Sequence, residues 1–290
     1  MRGSCIPSAR WQDTQLGATM RIKELAAKYI ARVGGGSGYV EQFNALAKHL
    51  PESSLRPDDL DAYLTKALHS LSPTTVYNHR RMLQRLMNFA VSEGLLDRSI
   101  VRPLRKIKRT PPNPRAWSHD EIRLLMEAAD KLRPGHKVSN RLLMRAWVAV
   151  AYSTGLRLAD LLEIRHDHIR GRRLLVQQQK TGEAHVCYLD DLAVECLSAL
   201  PRRGERIFGD LVCRDKILKK MRELTKAAKV KGSTKFLRRS GATYAEVMGK
   251  NASGHLGHRS PGMKTYYIDR LLLAEEKGEG PTTLPLRAVS

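Results

Sequence analysis

Between Val101 and Ala116 the chain carries Pro103, Pro111, Pro112 and Pro114, and no helix runs through such a segment. The sequence is therefore divided into two folding stretches on either side of it. The same segment holds six cations (Arg102, Arg105, Lys106, Lys108, Arg109, Arg115) and no acid from 101 to 115. An extended, cationic, proline-rich connector of this kind reads as a linker over 101–116 that lies along a polyanion.

Charge elsewhere supports that reading. The chain of 290 residues has a formal net charge of +22, and residues 202–239 alone carry fourteen cations against four acids. A solvated surface would mix the signs; a one-sided balance favours nucleic acid. The longest apolar run, Ala146 to Tyr152, has seven residues, far short of the roughly 20 a spanning helix needs. Met1 to Gln12 lacks the apolar core of a secretory leader, and the four cysteines show no CxxC spacing. A cytoplasmic protein with reduced thiols is expected, nucleoid-associated when bound to DNA. Neither metal nor cofactor is implied.

Residues 1–20 lack periodicity and read as an arm. Apolar spacing predicts helices over 21–33, 38–50 and 57–68, the last with Asp58, Asp59 and Asp61 at its positive end. Ser72 and Pro73 open a fourth helix to about Glu93. Tyr77, Arg81 and Arg85 line one face of it, either solvated or in contact with phosphates. Residues 21–100 thus form a small helical domain.

Ser118 and Glu121 make a capping box for a helix to about Leu132. A buried helix over 139–153 and another over 156–165 follow. The period then shortens: 173–179 and 184–189 are extended and joined by Lys180-Thr181-Gly182-Glu183, a β-hairpin. Helices are predicted at 191–200, 212–229, 235–248 and 260–272, with 274–290 a tail. Along 212–229 the apolar residues Ile217, Met221, Leu224 and Ala228 stand opposite Lys219, Arg222, Lys226 and Lys229. The fold class is mainly α with a small β-hairpin or sheet, in two domains, the second over 117–273.

Several chemically pointed pieces sit in this second domain. Thr154-Gly155-Leu156-Arg157 places an arginine at a turn, Lys180 stands at the hairpin tip, and Lys235-Phe236-Leu237-Arg238 puts two cations on one helix face. His255-Leu256-Gly257-His258 is followed by Tyr266 and Tyr267. Arginines clamp a phosphodiester bidentately, a lysine protonates a leaving oxygen, a histidine bonds a phosphate oxygen or takes a proton, and a tyrosine attacks phosphorus. No carboxylate cluster suited to Mg²⁺ appears, so the guanidiniums would stand in its place.

In order and spacing these motifs resemble the tyrosine recombinase (phage integrase-like) family, well over 115–273 and more weakly over 21–100. The resemblance implies a catalytic set of Arg157, Lys180, Lys235, Arg238, His258 and Tyr267, with Tyr266 the fallback nucleophile. It also implies a helical core-binding domain and metal-free cleavage and rejoining of DNA through a 3′-phosphotyrosine. Protomers of such a protein assemble on short DNA sites as dimers or tetramers. Arg81, Arg85, Arg105, Lys106, Lys108, Arg109, Lys219, Arg222 and Lys226 are the expected backbone contacts, with duplex DNA clamped between the two domains. Two departures stand out. Lys235 takes a place where the family usually has histidine, as in type IB topoisomerases. The stretch from Arg238 to His258 is short, with Gly249–Gly254 reading as loop. The rival readings are topoisomerase-like relaxation and DNA binding without catalysis.

Overall fold

A computed structural model describes residues 22–34, 37–47, 56–98, 101–108, 113–132, 134–135 and 138–278. The expected arm over 1–20 and the end of the tail lie outside these residues. The chain divides into two compact units, with the boundary between Pro111 and Pro112.

The first unit holds α1 (Ile22–Val33), α2 (Ser37–Ala47), α3 (Pro57–Ala67) and α4 (Pro73–Ser92). Its boundaries follow local chemistry. The Ser72 hydroxyl accepts from the Thr75 amide, and Pro73 fills the first position of α4. The apolar stripe of α4 (Val76, Leu83, Leu86, Met87, Ala90) is fully buried against Leu25, Leu46, Leu60 and Leu64. Tyr29 packs on Phe43 and edge-on to Phe89.

Residues 101–108, the described part of the segment read as a linker along a polyanion, are held by the first unit. Leu104 and Ile107 are buried in the first unit's core. Arg80 donates to the Leu104 and Arg105 carbonyls at 2.7–3.1 Å, and the Leu104 amide donates to Gln84. Asp58 and Asp61 grip the Arg102 guanidinium at 2.6 and 2.7 Å, and Asp61 also accepts from the Arg105 amide. These carboxylates serve as anchors for the strap as well as favourable charges on α3. The physical reason is alternation: apolar Leu104 and Ile107 interrupt the cations and seek the core.

The second unit is built around α6 (Asn140–Thr154), whose residues are buried almost all round. Packed on it are α5 (His119–Asp130), α8 (Asp191–Ser198) and α10 (Lys235–Val247). The Ser118–Glu121 capping box forms on α5. Trp147 of α6 meets Phe208 edge-on at 5.2 Å, and Trp117 is fixed at its backbone and its indole by Ser240 and Lys231. The hairpin pairs β2 (Arg173–Gln177) with β3 (Ala184–Tyr188), Leu175 opposite Val186. A two-residue β1 (Ile169–Arg170), too short to show in the pattern, makes a third antiparallel strand.

Two predicted helices break. The helix over 156–165 shrinks to α7 (Leu158–Leu162), because Ile164 and His166 turn to pair with the backbone of 205–207. The helix over 260–272 becomes a 3₁₀ turn (Pro261–Tyr266), a break, and α12 (Arg270–Glu276). The break is set by Asp269. Its buried carboxylate caps the Leu271 and Leu272 amides and also accepts from Ala116, while its own amide donates to Thr243. Conversely, the glycine-rich stretch read as loop contains α11 (Ala252–His255), capped by the Asn251 side chain. The remaining helix, α9 (Arg214–Ala227), buries Ile217, Met221 and Leu224 as predicted.

Candidate active site

Four elements converge on one spot. Gly155 ends α6 in the left-handed conformation (φ +61°), which aims its carbonyl at Arg238 and starts the turn to Arg157. Arg238, on the second turn of α10, is only 6% exposed. Its guanidinium donates to the carbonyls of Gly155 and Leu256 and, at 3.0 Å, to His258 Nε2. Its carbon stands 4.9 Å from the centre of the Tyr267 ring, and the His258 and Tyr267 rings lie 4.9 Å apart. Arg157 lies close enough to Arg238 and to His258 to oppose their positive charge.

Burial lowers the Arg238 pKa to about 10, helped by repulsion from Arg157 and opposed by the Tyr267 hydroxyl, so the group stays cationic at neutral pH. Because a guanidinium only donates, His258 Nε2 must accept, and the ring is neutral with its proton on Nδ1. That buried Nδ1 has no hydrogen-bond partner, and neither does Arg238 Nε. Burial and Arg238 hold His258 down to about 4, and burial likewise holds His255 down to about 4. Two mutually repelling guanidiniums make this a spot that favours an anion.

Stability depends on pH through His255 and His258. Both groups titrate near 6.5 when unfolded and near 4 when folded, so the unfolded chain takes up protons first as pH falls. Their contribution is complete above about 6.5 and is lost between about 6.5 and 4. Denaturation midpoints measured from pH 7.5 to 4 will therefore fall, and His255→Gln or His258→Gln will each flatten the fall.

Arg157, Arg238, His258 and Tyr267 are thus brought together, and Lys180, exposed at the hairpin tip, lies close enough to His258 to act on its charge. Glu183 of the same tip pairs with Arg259. Tyr266 is exposed at the end of the 3₁₀ turn, whereas Tyr267 packs beside Leu256 and Ile268. Lys235 stands exposed in the first turn of α10; among the described residues no hydrogen bond or ion pair joins it to the cluster. Of the expected DNA contacts, Arg81, Arg85, Lys106, Lys108, Lys219, Arg222 and Lys226 are exposed. Arg105 is also exposed, but its guanidinium turns back to the Thr65 hydroxyl; Arg109 lies outside the described residues.

Two further residues stand beside Arg157: Asp160, the acid three positions after it in the sequence, and Gln178, which the motifs leave out. Asp160 is fully buried, accepts from the Gln179 amide and sits 3.8 Å from Arg157. Gln178 accepts from Arg157 at 2.8 Å and donates to the Leu256 and Gly257 carbonyls. The signal for Gln178 was present: it continues the inward register of Leu174 and Val176 with a polar side chain.

The profile of the phage integrase family matches residues 115–271, more than half of the chain. The chain belongs to the phage integrase family. Solved structures agree on the fold. A lambda integrase fragment (residues 75–356), a dimer bound to a COC′ core site, matches with a TM-score of 0.67 at 21% identity, covering 84% of this chain and 97% of that one. The XerH recombinase bound to a palindromic difH substrate matches at 0.64 and 17% identity, covering 89% and 84%. The Tn1549 transposon integrase (residues 82–397) with circular intermediate DNA matches at 0.63 and 14%, covering 86% and 95%. No curated protein sequence matches this chain. As a phage integrase family member it carries that family's fold, mainly helical with a small three-stranded sheet. No described helix is long and apolar enough to cross a membrane.

Proposed function

We propose that this chain is a site-specific DNA recombinase that cuts and rejoins strands through a 3′-phosphotyrosine, acting in the cytoplasm. The observation that carries the reading is the meeting of Tyr267 with Arg238 and His258, beside Arg157, from four separate stretches of sequence. The Tyr267 oxygen attacks phosphorus as its proton passes to water. The bond to the 5′ oxygen breaks, and that oxygen takes a proton from Lys180. Rejoining runs the same steps backwards. Arg157 and Arg238 meet the charge that grows on the non-bridging oxygens, each donor worth about 10²–10³ in rate. With Nε2 occupied by Arg238, His258 serves as a donor through Nδ1 rather than as the base for tyrosine. Lys235, charged at the start of α10, adds positive potential without an acid–base role. These steps need no metal, so chelator will leave cleavage intact.

The related structures are DNA complexes, among them a lambda integrase dimer on a core site and a lambda integrase tetramer on a Holliday junction. Duplex DNA and assembly of protomers on it are accordingly the partners we assign here. The exposed cations of α4, of the 106–108 strap and of α9 supply backbone contacts, which position DNA without reading its sequence. Affinity will then fall steeply with salt, its logarithm by about 0.9 per neutralised phosphate against log salt. Binding titrations between 50 and 300 mM salt check this, and a flat response would remove these cations from the interface.

Incubation with a nicked duplex, whose cut fragment diffuses away, tests the chemistry. A covalent adduct on the 3′ phosphate supports it; binding without an adduct would leave only a DNA-binding protein. Recombination between two sites, against relaxation of a supercoiled circle without a site, separates the recombinase from topoisomerase-like activity.

A further inference from the structure

We infer that Gln178 is a positioning residue: its amide aims the Arg157 guanidinium and ties the Lys180 turn to the His258 loop. This rests on the strand-cleavage reading above and assigns a part to a residue outside that set. Gln178 follows β2 in the inward register and is 1% exposed. A buried amide is tolerated only when satisfied, and this one is. Oε1 accepts from Arg157 Nη1 at 2.8 Å, and Nε2 faces the carbonyls of Gly257 at 3.2 Å and Leu256 at 3.4 Å. The orientation of the amide is forced, since a guanidinium only donates and a carbonyl only accepts. The backbone of the same residue closes the turn that presents Lys180: its carbonyl accepts from the Thr181 and Gly182 amides, and its own amide donates to Glu183. Space is set for it as well. Gly257 has φ +63°, and a Cβ there would fall 2.1 Å from Gln178 Nε2.

The chemistry of the partner matters. Asp160, the carboxylate beside Arg157, stands off at 3.8 Å. A neutral amide holds the guanidinium at 2.8 Å while leaving its charge available to a phosphate. A carboxylate in the same place would still accept from Arg157, but it would cancel that charge and turn its second oxygen, with no proton to donate, towards the Leu256 and Gly257 carbonyls.

The test compares single-turnover cleavage of two nicked duplexes, one with an ordinary scissile phosphodiester and one with a methylphosphonate, in which a methyl replaces a charged non-bridging oxygen. Gln178→Met is expected to bind DNA normally, to cleave the phosphodiester about 10–100-fold more slowly, and to cleave the methylphosphonate within about threefold of the unaltered chain. The defect disappears with the charge that Arg157 meets. Gln178→Glu, which keeps the acceptor but cancels the charge, is expected to show the same relief and serves if the methionine variant does not fold. Equal slowing on both duplexes would mean a merely structural role and overturn the inference, as would full activity on the phosphodiester. Failure of the unaltered chain to cleave the phosphodiester would overturn the cleavage reading and this inference together, so the two failures are distinguishable.

Discussion

Tyr267→Phe will bind a nicked duplex with unchanged affinity and form no covalent adduct, a loss of about 10⁴-fold or more in cleavage. The ring remains, so its packing against Leu256, Ile268 and the Arg238 face is preserved, and only the nucleophilic oxygen goes. Tyr266→Phe will retain adduct formation, because that side chain points to solvent from the end of the 3₁₀ turn. Denaturing gels of the trapped complex, with the DNA-linked peptide sequenced, read both outcomes. An adduct that survives in Tyr267→Phe and vanishes in Tyr266→Phe would reassign the nucleophile.

Arg238→Lys will lower single-turnover cleavage by about 10²–10³-fold. One guanidinium reaches the Gly155 and Leu256 carbonyls and His258 Nε2 together, in a planar fork that an ammonium on a longer, mobile stem does not reproduce. Alanine is the poorer test, because it would leave two carbonyls and an imidazole nitrogen unpaired in a buried place and lower stability as well. The lysine variant is to be compared with the unaltered chain well below its melting temperature, with DNA affinity measured in parallel. Cleavage at the original rate would take Arg238 out of the chemistry.

Much of the architecture was legible because its causes are local. Ser72-Pro73, the Ser118–Glu121 box and the alternation through Leu174 and Val176 each act within a few residues, and each appears where expected. The errors fall where distant groups intervene. The attachment of residues 101–108 to the first unit was invisible because Arg80, Gln84 and Asp61 are far from them in sequence. The break after Tyr267 was invisible because it depends on Ala116 and Thr243.

The site divides along the same line. Sequence by itself determined which chemical groups are available, their order along the chain, and the excess of cations that selects a polyanion as partner. Only the tertiary structure decided which tyrosine faces the guanidinium, that His258 is neutral with one nitrogen engaged, and that Gln178 holds Arg157. The reason is that charge and residue type are properties of the chain. Burial, donor direction and pKa belong to the space into which stretches up to about a hundred residues apart are folded.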